Sequence, residues 1–370
     1  MGLGQSPVDD AMSSVSSMRE IYKGKKVFLT GHTGFKGSWL ALWLESMGAV
    51  VTGYALAPEG KDSHFELLTR AGQLKLKSHI ADIRDLESVK RAINEARPEI
   101  VFHLAAQPIV LKSYRDPIET FETNVMGTLK VLEAARACES VRVFVNVTSD
   151  KCYENREWDL AYRENDPMGG YDPYSASKGC AEVLASSYQR SFFSDGRILM
   201  ASVRAGNVIG GGDWAENRIV PDVIRAFIAG TPAEIRNPAA VRPWQHVLEP
   251  LHGYLRVGAR LLSGNKSTAI PFNFGPDPEM SVPVGELLTG LTSHWPELRY
   301  KMQAPEKAPH EAHFLRLDST RARTQLGWKP QLTLTQTIEW TADWYREFAV
   351  HKRVISVEQL GRFVERIDKQ

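Results

Sequence analysis

A doubly wound α/β fold of the Rossmann type, built on a parallel sheet, is predicted by three observations. Short apolar runs alternate with segments of helical spacing up to about residue 204. Those runs are apolar at nearly every position, as strands buried on both faces require. A glycine turn joins the first run to the first helical segment. Beyond residue 204 the pattern loosens into a smaller, mixed α/β lobe.

The composition limits the function. A chain of 370 residues can bury one large α/β unit or two lobes. Lys+Arg of 45 against Asp+Glu of 44 gives a net charge of +1. That balance suits neither nucleic acid nor an acidic membrane as partner. Cys138, Cys152 and Cys180 lack metal-type spacing and fit a reducing cytoplasm. Cys152 reads as a packed thiol, since no His or Asn arrangement accompanies it. No apolar run is long enough to span a bilayer, so a soluble, cytoplasmic protein is expected. The expected division is a disordered Ser-rich tail (1–20), a dinucleotide-binding domain (21–204), a substrate lobe (205–345, some segments returning to the first domain) and a helical extension (346–370).

In chain order, Lys26 to Thr30 is a buried-type strand, followed by Gly31-His32-Thr33-Gly34-Phe35-Lys36-Gly37. Ser38 to Met47 then reads as an amphipathic helix stopped by Gly48. The glycines allow a tight turn and close backbone approach, and the helix N-terminus faces a pyrophosphate. Ala49 to Tyr54 is the second strand. The carboxylate that would hold the adenosine ribose is missing after it, and His32 is an alternative contact there. NAD is preferred over NADP because no arginine stands ready for a 2′-phosphate, although Lys36 is a candidate. Asp82-Ile83 suits an adenine edge and face. Ile100 to Leu104 is a strand with Ala105-Ala106-Gln107 as its exit, and Glu119 to Cys138 is helical around Asn124.

Val143 to Val147 is a strand ending in Thr148-Ser149-Asp150-Lys151. Asp172 caps the next helix, with Pro173 at its first position and Phe193 near its end. Tyr174 and Lys178 share a helical face, and an ammonium there should lower the Tyr174 pKa into the range of a working base. Ser149 should bond the same substrate oxygen. Ile198 to Arg204 is another strand. Ala205 to Trp214 reads as a glycine-rich loop, too flexible for a regular element. Arg218, Arg236 and Arg242 are candidates for clamping a diphosphate, while Trp214 and Trp244 read as core.

These motifs resemble the extended short-chain dehydrogenase/reductase family, over residues 21–345. The resemblance is carried by Thr30 to Gly37, Ala105-Ala106-Gln107, Tyr174-x-x-x-Lys178 and Leu326-Gly327-Trp328 within the segment Asp318 to Pro330. Within the family, Gly31 to Trp39, Thr148 to Tyr153 and Gly206 to Trp214 look like the sugar 4,6-dehydratases. The resemblance implies an NAD-dependent lyase acting on CDP-glucose. C4 is oxidised with Tyr174 as base, helped by Lys178 and Ser149; Asp150 and Lys151 then eliminate water across C5 and C6, and hydride returns to C6. It places Gly31, His32, Gly34, Phe35, Lys36, Gly37, Asp82, Ile83, Leu104, Ala105, Ala106, Asn124, Tyr174, Lys178 and Arg204 at cofactor positions. Gln107, Ser149, Asn207, Arg218 and Arg242 fall at substrate positions. It also implies a homodimer through the helices around Asn124 and Lys178.

Related dehydratases carry Asp-Glu where this chain has Asp150-Lys151, so which of the two is acid and which base stays open. An epimerase or reductase of the family would need Tyr174 and Lys178 but not that pair. A non-catalytic dinucleotide-binding regulator would usually have lost Tyr174 or Lys178.

Overall fold

Residues 14–302 and 314–369 are described by a computed structural model. Seven strands form one wholly parallel sheet: β1 (Lys26–Thr30), β2 (Val50–Ala55), β3 (Lys77–Ile80), β4 (Ile100–His103), β5 (Val143–Val147), β6 (Leu199–Ala205) and β7 (Phe272–Phe274). Their order is β7-β6-β5-β4-β1-β2-β3. The winding reverses between β1 and β4. In sheets of this kind, ligands bind in the crevice outside the strand ends at that reversal.

The helices that frame the sheet and the site are α1 (Val15–Tyr22), α2 (Phe35–Ser46), α3 (His64–Arg70), α4 (Leu86–Ala96), α5 (Thr128–Ala137), α6 (Pro173–Ser191), α7 (Ile219–Ile228), α8 (Leu248–Leu262), α9 (Leu334–His351) and α10 (Ser356–Asp368). Side chains alternate across the sheet. Val27, Leu29, Phe102, Val145 and Val203 join α1, α2, α8 and α10 in one core. Phe28, Val101, Phe144 and Met200 join α4, α5 and α6 in the other. Both faces are covered, which is why the strands read as unbroken apolar runs.

Four expectations are corrected. Residues 1–13 of the expected tail lie outside the described residues, but the rest of it is helical. Val15, Met18 and Tyr22 of α1 are buried, Ser14 caps the helix, and the Tyr22 hydroxyl donates to Leu255 O at 2.9 Å. Helix α2 starts at Phe35 and is buried all round from Gly37 to Leu44, so it is not amphipathic. The sheet lies on one side, while Phe363 of α10 meets Trp43 edge-on at 5.7 Å. The glycine-rich loop contains a short strand, Val208–Ile209, paired in parallel with Gln245–His246. The helix around Asn124 breaks into Pro117–Phe121, a π-helical turn Glu122–Gly127, and α5. Helix α8 and strand β7 pack on the central sheet, β7 as its edge strand beside β6.

Candidate active site

At the end of β1 the backbone turns through Gly31 at φ +78°, where a Cβ would lie 2.8 Å from Ala105 N. A Cβ on Gly37 would lie 2.0 Å from Gly31 O. Only glycine fits either position. Gly34 caps α2 without any side-chain bond, so the positive pole of the helix stays open to an anion. Thr30 Oγ1 accepts the N–H groups of Leu104 and Ala105, both at 3.1 Å, tying the exits of β1 and β4 together. Leu104, Ala105 and Ala106 are half-buried along the same crevice. This cradle fits a dinucleotide pyrophosphate.

Beside it, β5 ends at Val147 and is followed by Thr148 and Ser149. The Ser149 hydroxyl donates to Asp150 Oδ1 at 2.8 Å and accepts from Lys151 N at 3.2 Å, closing a 3-10 turn over Asp150–Cys152. Asp172 caps α6 by accepting from Ser175 N at 2.9 Å, with Pro173 at the first position. Tyr174 and Lys178 follow one turn apart, both buried. One turn further, Glu182 accepts from Thr148 Oγ1 and takes a bidentate pair from Arg204 at 2.9 and 2.7 Å. The strand end carrying Ser149 and the helix carrying Tyr174 are thereby pinned to one another.

Burial dominates the electrostatics. It pushes the Tyr174 phenol up to about 12, against the pull of Ser149 and of the Arg218 charge. It brings Lys178 down to about 8, with Glu182 opposing. The expected lowering of Tyr174 by Lys178 is therefore corrected, because desolvation of the phenolate outweighs neighbouring charge. Burial also raises the Asp150 carboxyl, opposed by Lys151, Ser149 and Lys36. Lys36 is brought to about 8 by burial and by the Arg218 and Lys178 charges, with Asp150 and Asp213 opposing. The glycine turn thus sends a lysine into the acid–base cluster.

Several named residues turn out to be committed elsewhere. The His32 ring is fully buried against Gly53 and bonds Ser78 Oγ at 2.7 Å, so it does not reach the crevice. Arg204 is also buried; every guanidinium nitrogen is taken by Glu182, the Tyr153 hydroxyl at 2.7 Å or Glu164 O at 3.1 Å. Asn124 bonds the Gln107 backbone through both amide atoms, at 2.8 and 3.0 Å, and Ser177 Oγ at 2.9 Å. The Gln107 amide is spent on Ile109 and Thr120. Arg204, Asn124 and Gln107 build walls with their side-chain polar atoms paired, while His32 keeps a buried Nδ1 without a hydrogen-bond partner. Asp82 is paired with Arg84 at 2.6 Å, and Ile83 packs under Gly127. Gly34, Phe35, Asn207, Arg218 and Arg242 keep exposed or half-buried side chains or backbone. Cys152 is buried with its thiol pushed up by burial, which fits a packed thiol. Trp244 is core, donating to Val282 O at 3.1 Å.

Sequence reasoning missed Glu182 and Asp213. Glu182 was readable as the third member of the Tyr174/Lys178 face, at the next four-residue step. Asp213, which accepts from Arg218 at 2.8 Å, stands directly after three glycines.

The chain is 50% identical over 333 residues to a CDP-glucose 4,6-dehydratase of Salmonella typhimurium, covering 89% of this chain and 92% of that protein. A solved UDP-glucose 4-epimerase of Thermus thermophilus in complex with NAD matches with TM-score 0.72 and 25% identity, over 86% and 98% of the two chains. A solved dTDP-glucose 4,6-dehydratase of Streptomyces venezuelae with NAD bound matches in fold, with TM-score 0.71 and 22% identity, over 87% and 97%. Residues 28–263 match the family model described as GDP-mannose 4,6 dehydratase. A match running from β1 through the glycine turn, β5 and α6 and into α8 places the chain in that dehydratase family, to which it belongs.

Proposed function

We propose that the protein is an NAD-dependent lyase that converts CDP-glucose to CDP-4-keto-6-deoxyglucose. The observation that carries this reading is the buried, hydrogen-bonded Asp150 beside Ser149 and Tyr174. A plain dehydrogenase has no use for a second acid there. The half-identical Salmonella relative supports CDP as the nucleotide.

The cradle of Gly31, Gly34 and Gly37, the open pole of α2 and the half-buried Leu104, Ala105 and Ala106 hold NAD. Its chemistry is reversible storage of one hydride, taken from sugar C4 and given back at C6. Tyr174 removes the 4-hydroxyl proton, and Ser149 bonds the same oxygen. Lys178 supplies the positive charge that a buried phenolate needs. With C4 oxidised, the proton on C5 is acidic. Lys151 takes it, while Asp150, whose raised pKa keeps a proton available, protonates the departing 6-hydroxyl. The proton lost at O4 balances the one that leaves as water, and the C5 proton is restored as hydride reaches C6. Arg218 and Arg242 meet the diphosphate.

The exposed apolar side chains Ile118, Phe121 and Met126 beside Asn124, with Val183 on α6, support a homodimer through these helices. Three free cysteines support a reducing, cytoplasmic setting.

The direct test is the alkaline absorbance of the 4-keto sugar after incubation with NAD and CDP-, dTDP-, UDP- or GDP-glucose. Signal from CDP-glucose alone is expected. Signal from a different nucleotide overturns the substrate, and silence from all four overturns the lyase reading.

A further inference from the structure

The segment Gly210-Gly211-Gly212-Asp213 is pressed flat by its neighbours. A Cβ on Gly211 would lie 1.9 Å from Trp344 Cγ, and one on Gly212, at φ +85°, 2.6 Å from the His64 ring. The backbone is also bonded in place. Trp39 Nε1 donates to Gly211 O at 2.9 Å, and the Tyr345 hydroxyl donates to Asp213 O at 2.5 Å. Trp344 and His64 are themselves fixed. Trp344 Nε1 donates to Ser356 Oγ at 2.8 Å, and His64 bridges Ser356 and Ser38, both at 2.8 Å. Helices α2, α3, α9 and α10 therefore converge on this one turn.

What they deliver is the Asp213 carboxylate. It is 3% exposed, accepts from Ala215 N at 3.1 Å, and accepts from Arg218 Nη1 at 2.8 Å. The Arg218 side chain remains 35% exposed and lies within electrostatic reach of Tyr174 and Lys36. A buried anion thus stands behind a solvent-facing guanidinium at the mouth of the catalytic cluster. An unheld arginine samples many rotamers, and ordering it on binding opposes affinity. An arginine already held in a charge-assisted bond has lost that freedom beforehand.

We infer that Asp213 is a positioning residue, which fixes the Arg218 guanidinium beside Tyr174 to receive the diphosphate of the nucleotide sugar. The C-terminal helices α9 and α10 are then part of the substrate site, although neither carries a group that touches substrate. This rests on the functional reading above, in that a nucleotide diphosphate is taken as the ligand.

The test is a cycle of Asp213→Asn, Arg218→Gln and the double variant, in the full-length protein. Two quantities are read: kcat and KM for CDP-glucose at saturating NAD, and CDP affinity by calorimetry, which needs no turnover. Asp213→Asn is expected to raise KM and weaken CDP binding about tenfold with kcat changed less than about threefold, the scale of one charge-assisted hydrogen bond. In the Arg218→Gln background the same change should have almost no effect, because the partner is gone. Equal losses in both backgrounds, unchanged KM and CDP affinity, or a loss confined to kcat would each overturn the inference. Should Asp213→Asn fail to fold, Tyr345→Phe removes only the hydroxyl that holds the Asp213 carbonyl. It should raise KM in the same sense by a smaller factor, and an unchanged KM there overturns the inference too. Wild-type binding of CDP without turnover would count against the lyase reading while leaving the cycle intact.

Discussion

Tyr174 at about 12 and Lys178 at about 8 titrate in an unexpected order, the lysine losing its proton first. At neutral pH Lys178 is charged and the phenol is intact, so proton removal from the sugar must be concerted with the rise of charge on Tyr174. Above pH 8 the ammonium is lost while the phenol still holds its proton. We therefore expect kcat/KM to fall on the alkaline side near pH 8. Lys178→Arg, which cannot deprotonate, should be slower but should lack that limb; a limb retained at the same pH assigns it to another group. Tyr174→Phe should lower kcat by roughly 10²–10⁴, the usual worth of a positioned acid–base group. Lys151→Met should abolish loss of water while leaving part of the C4 oxidation, seen as CDP-4-ketoglucose among the products. Full retained turnover would remove Lys151 from the mechanism. At this scale the residue types and the shared face of Tyr174 and Lys178 were legible, because helical spacing is written in the sequence. The sign of the Tyr174 shift was not. It depends on how deeply α6 is buried, and that is set by Glu182, Arg204 and Thr148 in concert.

Among the elements, glycine has two opposite meanings in this chain, and stability measurements separate them. Gly211 lies against Trp344 with no room for a methyl group. Gly211→Ala should destabilise the protein by about 1–3 kcal/mol or more through overpacking. Gly361 sits on the exposed side of α10 with nothing within 4 Å of its missing Cβ. Gly361→Ala should stabilise by up to about 1 kcal/mol through helix propensity alone. Thermal melts showing a lower midpoint for the first and a higher one for the second are expected; a neutral Gly211→Ala would show that the turn yields. The same contrast explains which elements could be read in advance. Strands β1, β4, β5 and β6 were legible because burial on two faces leaves continuous apolar runs. The Val208–Ile209 strand was hidden, since its partner Gln245–His246 lies far along the chain and its own residues read as a glycine loop. Helix α1 was hidden by its serines, which mask the spacing of Val15, Met18 and Tyr22.

For the whole molecule, the alternation of strands and helices pointed to a parallel, doubly wound sheet, but not to the strand order or to the way the C-terminus folds back. Helix α10 lands on α2 and α1, with Asp368 Oδ1 accepting from Val15 N at 2.8 Å, a contact that no local pattern announces. That closure helps bury His64, which bonds Ser356 of α10 at 2.8 Å, and further neutral imidazoles are buried elsewhere in the fold. Burial lowers His64, His103 and His246 to about 3 and His32 to about 4, and pushes His252 well below its ordinary value. Each ordinarily titrates at 6.5, so the unfolded chain binds the extra protons. Their contribution is fully present above pH 6.5 and is lost as pH falls toward the folded values. Glu249 works the other way. Burial raises it to about 8, so its contribution is complete below about 4.5 and is lost as pH rises through 8. One fully coupled group changes stability by about 1.4 kcal/mol per pH unit. Below pH 6.5 five imidazoles oppose Glu249 and the raised Asp150 carboxyl, and stability falls with acid; toward pH 8 the loss at Glu249 is opposed by Lys36 and Lys178, whose folded values of about 8 lie below the ordinary 10.5. Stability should therefore fall below pH 6.5 and change less between 6.5 and 8. Urea midpoints at pH 5, 6.5 and 8 check this, with the largest drop expected at pH 5. His64→Gln should make the acid side shallower by up to about 1.4 kcal/mol per pH unit. A midpoint at pH 5 equal to that at 6.5 would mean that the imidazoles gain water or protons without unfolding, and that the closure by α10 is looser than its contacts imply.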